Sequence, residues 1–583
     1  MLSGGTGIKK RSEDGNFAFF VNWKSTFHQD LKEHLASASD NAKYTSPRIQ
    51  NEIIHLCEQS IREKIMSCIP KYWSLMADET QDCSTTEQLS ICIRYVKSGG
   101  EICEDFLGFV KLEKMGAENI ANALLSTVEG WGLDMSTLVA QGYDGATVMS
   151  SSKNGVQAKV KEKYPNVTYV HCRSHVLNLA ISSGCSSVPP VRNLFDSVEK
   201  LSWFLGGSAK RKEIFLKVAS SCSGDHHLLN LLTSDAGDLS ESAEAVKEGG
   251  KKKTVPKFCA TRWTARVSTL SALLSKYVEV LKALENIRDS STAEARSDAS
   301  SYMRLMEDLQ FIVALTVSQF VLSFLGAVTT ALQSTECNLA DAYDDVALAR
   351  ECIRDSRSEE CWKKLWARVL QIASAVGITI SKPRSVRLQR HRANAGAVDQ
   401  SPSDYYRINV YYPFIDHVVG ELETRFSSDH EGLIAAQYLI PLYLPQLSQD
   451  KIDSLEGYYG KFLTCGENEH LDVEVAKWKK CYEGKSIQER PKTATSALSN
   501  YSPQTFPALH KILVIFLTTP VGSVSCERSF SALRRLKLWT RSSMTEERLS
   551  GLAMLLIHRE TEFIPTPEEI YSRKTSWRQL KSN

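Results

Sequence analysis

The sequence predicts an α/β protein: a mixed sheet in the first third, a long all-helical stretch after it, and an apolar helical block near the end. Three observations carry this. Between residues 71 and 112 apolar side chains form short runs, one of them strictly alternating, separated by turns. Between 117 and 172 helical and strand spacings alternate. From 262 to about 375 the spacing is helical throughout.

The elements follow in order. Residues 1–50 are polar, without the Cys/His spacing of a zinc finger. A helix is expected over 51–70, with Ile53, Ile54, Cys57, Ile61 and Ile65 on one face. The first strand is apolar through Trp73, Leu75, Met76 and Ala77 and then stops at Asp78-Glu79. After a polar turn, Leu89, Ile91, Ile93 and Tyr95 alternate with Ser90, Cys92 and Arg94, which face the other way, completing a hairpin. "EDFLGFVKL" at 104–112 is a third strand. A helix runs from about Ala117 to Trp131, with Gly132 where a C-terminal cap belongs. A fourth strand, Leu138 to Ala140, enters "QGYDGA"; a helix over 153–163 and a fifth strand, 167–172, complete the layer. Residues 222–258 form a low-hydrophobicity linker, and 380–404 form a basic loop. The expected domains are a core over 51–221, a helical domain over 259–500, a C-terminal region over 501–565 and a tail from 566.

A chain of 583 residues exceeds one ordinary core. Its net charge is +2, so any basic surface is local. The 15 cysteines are scattered without a C-x-x-C pair and no signal peptide opens the chain, which predicts a reducing, intracellular setting. Residues 309–335 carry no charge and are long enough to cross a bilayer. Ten Gln, Ser and Thr residues interrupt them and no basic cluster flanks them, so a buried helix is the preferred reading and no membrane partner is expected.

Three acids are candidates for chemistry. Asp78 ends the first strand, where an acid serves either a turn or a site. Asp144 follows the fourth strand between two glycines, and parallel neighbours would put both carboxylates at one sheet edge. Glu527 lies on a helix begun after Pro520 and Gly522 and capped by Ser523 or Ser525, on the flank of a buried Cys526, Phe530, Leu533 stripe. It is either a first-turn glutamate favoured by the helix dipole or a site residue. Three carboxylates can hold two divalent cations about 3.5–4 Å apart for phosphodiester chemistry, and hard ions such as Mg²⁺ prefer oxygen ligands. Near the end, Ser543 and Glu546 have capping-box spacing, and Leu549, Leu552, Ala553 and Leu556 share an apolar helical face.

"LMADETQDCSTTEQLSICIRYV", "GYDGATVMS", "YVHCRSHVLNLA", "CATRWTARV", "RHRANAGA", "YYRINVYYPFIDHVVGELETRF" and "SVSCERSFSALRRLKLWTRSSMTEERLSGLAMLLIH" occur in that order. Together they resemble the hAT-superfamily transposases, of the branch that includes zinc-finger MYM-type and related domesticated proteins. The resemblance spans roughly residues 40–565. It implies an RNase H-like mixed sheet, split by a large all-α insertion before its last helix and followed by a helical C-terminal dimerisation region. The spacing suits a split: Asp78 and Asp144 are 66 positions apart, and Glu527 lies a further 383 along.

By this resemblance Asp78, Asp144 and Glu527 are DDE acids that bind Mg²⁺ or Mn²⁺ and catalyse DNA strand cleavage and transfer. Cys172 and His175 match a C-x-x-H pattern, with His175 near the site; a buried thiol and a hydrogen-bonded histidine suit them better than a metal site. Arg262 and Trp263 match an Arg-Trp pair, Trp263 being either a base-stacking platform or a packing anchor. Arg384, Arg387, Arg390 and Arg392 of the basic loop are candidate phosphate contacts. Leu513, Phe516, Leu549, Leu552 and Leu556 are the candidate dimerisation residues, which makes a second copy of the chain the expected partner. Active members also carry an N-terminal BED-type finger, which these residues lack, so sequence-specific DNA recognition is not part of the expectation. Two functions stay open: a dimerising nuclear protein with a working acidic triad, or a non-catalytic nuclear regulator that keeps fold and dimerisation alone.

Overall fold

A computed structural model of the chain describes residues 15–221, 263–383, 400–427 and 430–573. Two compact units emerge, one of residues 1–172 with 430–583 and one of residues 173–429.

The first unit holds α1 (Asn16–Ser25), α2 (Gln29–Ser37), α3 (Pro47–Ser67), β1 (Trp73–Gln81), β2 (Glu87–Val96), β3 (Ile102–Lys111), α4 (Ala117–Gly130), β4 (Leu138–Tyr143), α5 (Val156–Lys163) and β5 (Thr168–His171). Ser46 caps α3 by accepting from the Ile49 N–H, with Pro47 at the first helical position. Gly132 takes the left-handed conformation that ends α4, at φ +93°. The β1–β2 turn closes on Asp82, whose Oδ1 accepts from the N–H groups of Ser84 (2.7 Å) and Thr86 (3.2 Å).

The sheet order is β3-β2-β1-β4-β5. β1, β2 and β3 are antiparallel, while β4 runs parallel to both β1 and β5. This is the mixed α/β sheet that the alternation predicts. Leu89, Ile91, Ile93 and Tyr95 point into the core with Ile120, Leu124 and Val128 of α4. The opposite face of β2 is also buried: Ser90, Cys92 and Arg94 are closed off from solvent. They lie under α6 (Pro507–Thr518) and α7 (Val524–Leu536), which return to the sheet from far along the chain. The final helix of this layer, α8 (Glu546–Ile557), packs on α3 and β3. Ser550 Oγ donates to Glu58 Oε1 (3.0 Å) and accepts from the Phe109 N–H (3.3 Å).

The unit boundaries fall at 172/173 and 429/430, not at the expected 221 and 500. Helices over 173–221 pack within the second unit: Ser183 bonds Glu421, and a Cβ on Gly184 would meet Val418 at 2.9 Å. Residues 430–500 pack on the first unit instead. The buried Glu474 carboxylate there accepts from the N–H groups of Ala508 (3.0 Å) and Leu509 (3.2 Å), anchoring an anion at the N-terminus of α6. Trp478 stacks edge-on with Tyr501 and Phe506.

The second unit is helical among its described residues. The uncharged stretch becomes helices Leu309–Ser323 and Leu325–Ala331, and the first is buried on nearly every side, including Thr316 and Ser318. Among the described residues no single helix is long and apolar enough to cross a membrane; a bent pair, Ala293–Met306 with Leu309–Ser323, passes on length and composition.

Candidate acidic site at the sheet edge

Strand parity explains which residues can meet. Asp78 is still within β1, paired with Ser90, and shares its face with Ser74 and Met76. That is the face covered by α6 and α7. Met76 pairs with Gly142 in the parallel β1–β4 ladder. Two residues further along each chain, just past the end of the β1–β4 ladder, Asp78 and Asp144 therefore come abreast. Asp78 Oδ1 accepts from the Glu79 N–H (2.9 Å), and Asp144 Oδ1 from the Ala146 N–H (3.1 Å). Tyr169 Oη donates to the Asp144 carbonyl (3.1 Å).

Glu527 arrives from the other side, in the first turn of α7. Two glycines set the approach. A Cβ on Gly142 would stand 2.9 Å from Pro520 Cγ, and one on Gly522 would stand 2.8 Å from Cys172 Sγ. Any side chain at either position would push the 520–522 segment off the strand ends. Ser523, expected as a cap, makes no side-chain cap bond. Ser525 Oγ instead donates to Glu104 Oε2.

A buried ion pair sits below this helix. Arg94 donates through Nη1 to Glu104 Oε1 (2.7 Å) and through Nε to the Leu517 carbonyl at the end of α6 (2.9 Å). Glu104 thus links β2, β3 and the start of α7. Ser90 Oγ and Ser529 Oγ are 2.8 Å apart, one turn further along α7. These groups hold Glu527 toward Asp78.

The electrostatics record the convergence. Burial pushes the Asp78 carboxyl well above the usual carboxylate range, and the charges of Glu527 and then Asp144 push it further; the Glu79 N–H bond opposes them. Glu79 is raised by burial, then by Asp144 and Glu87. Its Oε2 is buried with no hydrogen-bond partner. The Cys526 thiol, beside Cys92 and Asp78, is raised chiefly by burial. Carboxylate oxygens are the donors a hard divalent cation prefers, but the unsatisfied oxygen belongs to Glu79, which follows Asp78 within β1 and so takes the other face of the strand. Among the described residues, however, no three His, Cys, Asp or Glu side chains are grouped closely enough to hold a metal ion. The acids are gathered at one edge but do not form a closed ligand set.

The remaining predicted residues distribute as follows. Cys172 is buried against the 520–522 segment in the first unit. His175 is half-buried in the first turn of Arg173–Ser187, in the second unit. Trp263 opens the helix Trp263–Ser275, but its side chain, like all of Arg262, Arg384, Arg387, Arg390 and Arg392, lies outside the described residues. Three of the candidate dimerisation residues need correcting. Leu513, Phe516 and Leu549 are buried in the unit's own core and offer no surface to a second chain. Leu552 and Leu556 are half-exposed and remain available. The Ser543–Glu546 capping box does not form: α8 begins after Thr545, and Glu546 binds Gln88 (2.6 Å) and Lys537 (3.1 Å). Sequence reasoning left Glu79 unassigned and missed the Arg94–Glu104 pair. A lone arginine inside an otherwise apolar alternating strand was the available signal for the latter.

Comparison with known proteins adds to this geometry. Residues 2–155, which contain Asp78, Glu79 and Asp144, match the model of the ZMYM1/FAM200 RNase-like domain. Residues 501–561, which contain Glu527, match the hAT family C-terminal dimerisation region. The chain is similar to the human 52 kDa repressor of the inhibitor of the protein kinase, 26% identical over 547 residues, covering 91% of this chain and 67% of the relative. It is likewise similar to the mouse protein of that name, 24% identical over 575 residues, covering 95% and 71%.

Proposed function

For this chain, a transposase-derived hAT family protein with an RNase-like domain and a hAT C-terminal dimerisation region, we propose a self-associating nuclear protein with a divalent-cation site for DNA strand cleavage and transfer. Asp78, Asp144 and Glu527 would bind Mg²⁺ or Mn²⁺. The observation that carries this reading is the placement of the acids: the Met76–Gly142 pairing sets Asp78 and Asp144 abreast, and Glu527 lies in the first turn of the helix that covers that face; the Asp78 carboxyl, raised first by burial, is raised further by both neighbours. Bound ions of this kind activate water and stabilise a departing oxygen in phosphodiester attack. The chain's own groups orient that chemistry. Positive charge bound beside Asp78 would oppose the upward shift that burial and the neighbouring acids impose on its carboxyl. The Arg94–Glu104 pair and the Gly142–Pro520 contact position Glu527.

A nicking assay on hairpin and end-mimicking DNA tests it. The parent chain should cleave only with Mg²⁺ or Mn²⁺, and Asp144→Ala should not cleave. No cation-dependent cleavage by the parent would overturn the reading.

Two observations favour a second reading, a non-catalytic regulator that uses the fold and self-association alone. Both relatives are named as repressors, and the acids do not form a closed ligand set among the described residues. Under this reading the parent and Asp144→Ala behave alike in every DNA assay.

A further inference from the structure

Trp539 is 83% exposed, the largest exposure of any bulky apolar side chain among the described residues. An indole left in water has no folding rationale. It lies in a 3₁₀ turn, Trp539–Arg541, three residues past the end of α7. With Arg534 it lines a recess of about 230 Å³, whose opposite wall is Thr80, Gln81, Asp82 and Cys83. That wall is the strand tip immediately beyond Asp78 and Glu79.

The exposed charge on the nearby stretch of chain is mainly positive. Arg534, Arg535 and Arg541 are exposed, and none of them forms an ion pair among the described residues. Two acids at this end, Asp82 and Glu546, share one lysine. Lys537 Nζ is 2.7 Å from Asp82 Oδ2 and 3.1 Å from Glu546 Oε1. Glu547 stands exposed in the first turn of α8. Glu527 opens α7 and Arg534 closes it, so about 10 Å of helix separates the acidic edge from the start of this surface.

We propose that this surface, Trp539 with Arg534, Arg535 and Arg541, binds a single nucleic-acid strand, with a base stacked on the indole and phosphates on the arginines. The strand would continue along α7 toward Asp78 and Glu527. A second copy of the chain is the rival occupant, because the turn lies within the dimerisation region. A symmetric interface uses the same patch on both copies, and this patch would bring exposed arginines from each. Phosphate complements the same charges. Stacking on an exposed aromatic ring is tolerant of sequence.

The inference rests on the nucleic-acid reading of the acidic edge, yet its readout needs no cation. Fluorescence anisotropy of a labelled oligothymidylate strand, with the full chain in EDTA, measures it directly. Trp539→Ala should weaken binding by about five- to a hundredfold, while Trp539→Phe should retain most of it. Arg534→Ala should reduce the slope of log K against log salt by about 0.7 for the lost phosphate contact. Equal affinity of parent and Trp539→Ala would overturn the proposal. So would a change of sedimenting mass in Trp539→Ala, which would assign the residue to the subunit interface. Cleavage that survives Trp539→Ala with unchanged binding refutes this proposal alone; binding lost in Trp539→Ala, with no cleavage by the parent, refutes only the catalytic reading.

Discussion

Arg94→Met should destabilise the first unit by about 3–5 kcal/mol, the cost of stranding one partner of a buried pair. The structure supplies the terms. The Arg94 side chain is 0% exposed and that of Glu104 is 7% exposed. Methionine fills most of the arginine stem but removes both the 2.7 Å bond to Glu104 and the 2.9 Å bond to the Leu517 carbonyl. Within the total, the charge-assisted bond to the Leu517 carbonyl accounts for about 1.5–3 kcal/mol, and the stranded carboxylate for the rest. If the stranded charge dominates, Arg94→Met/Glu104→Met should be more stable than Arg94→Met by at least about 2 kcal/mol. Guanidinium denaturation of the full chain gives the energies. Hydrogen exchange at β2 and α7 assigns them to this unit, since two units need not unfold together. A single-variant loss below about 1 kcal/mol, or a double variant less stable than the single, would refute the reasoning.

Asp78→Asn should raise the melting temperature at neutral pH. A carboxyl whose pKa is raised by folding contributes stability below the ordinary Asp range and loses it as pH rises through the folded value, so the amide gains most above that window. The gain should close at acid pH, and a neutral-pH melting point below the parent's would contradict it. Gly142→Ala should cost about 1–3 kcal/mol by driving Pro520 off β4; an unchanged denaturation midpoint would sink that claim. Leu549→Asp, at a fully buried position, should destabilise by more than about 4 kcal/mol. Leu552→Asp should leave melting nearly unchanged and lower the sedimenting mass, and equal melting losses for the two would refute the distinction.

Strand periodicity was legible because alternation is enforced by the pleat, and it located Asp144 at a strand end; the first strand, expected to stop at Asp78, runs on to Gln81 because its polar residues 79–81 still pair with β2. The adjacency of the two acids needed the register: only the Met76–Gly142 pairing brings residues 78 and 144 abreast. What covers the second face of β2 was not legible, because the partners of Ser90 and Arg94 lie more than 400 positions away at Ser529 and Leu517. An apolar stripe likewise reports burial without naming what buries it. Leu513, Phe516 and Leu549 fit a partner's surface and their own core equally well in sequence. The unit boundaries were missed for a related reason: the polar 222–258 stretch attracts a boundary by composition, whereas contacts such as Ser183–Glu421 and Glu474–Ala508 decide it.

Localised hydroxyl-radical cleavage is the direct probe of whether the distant acids share a cation. Fe²⁺ would replace Mg²⁺ on the full chain, with ascorbate and peroxide added to cut the backbone near the bound ion. The account expects three separate cuts, around residues 78, 144 and 527, suppressed by excess Mg²⁺ and abolished by Asp144→Ala. Cuts confined elsewhere, or cuts at these three places that Asp144→Ala leaves intact, would contradict it.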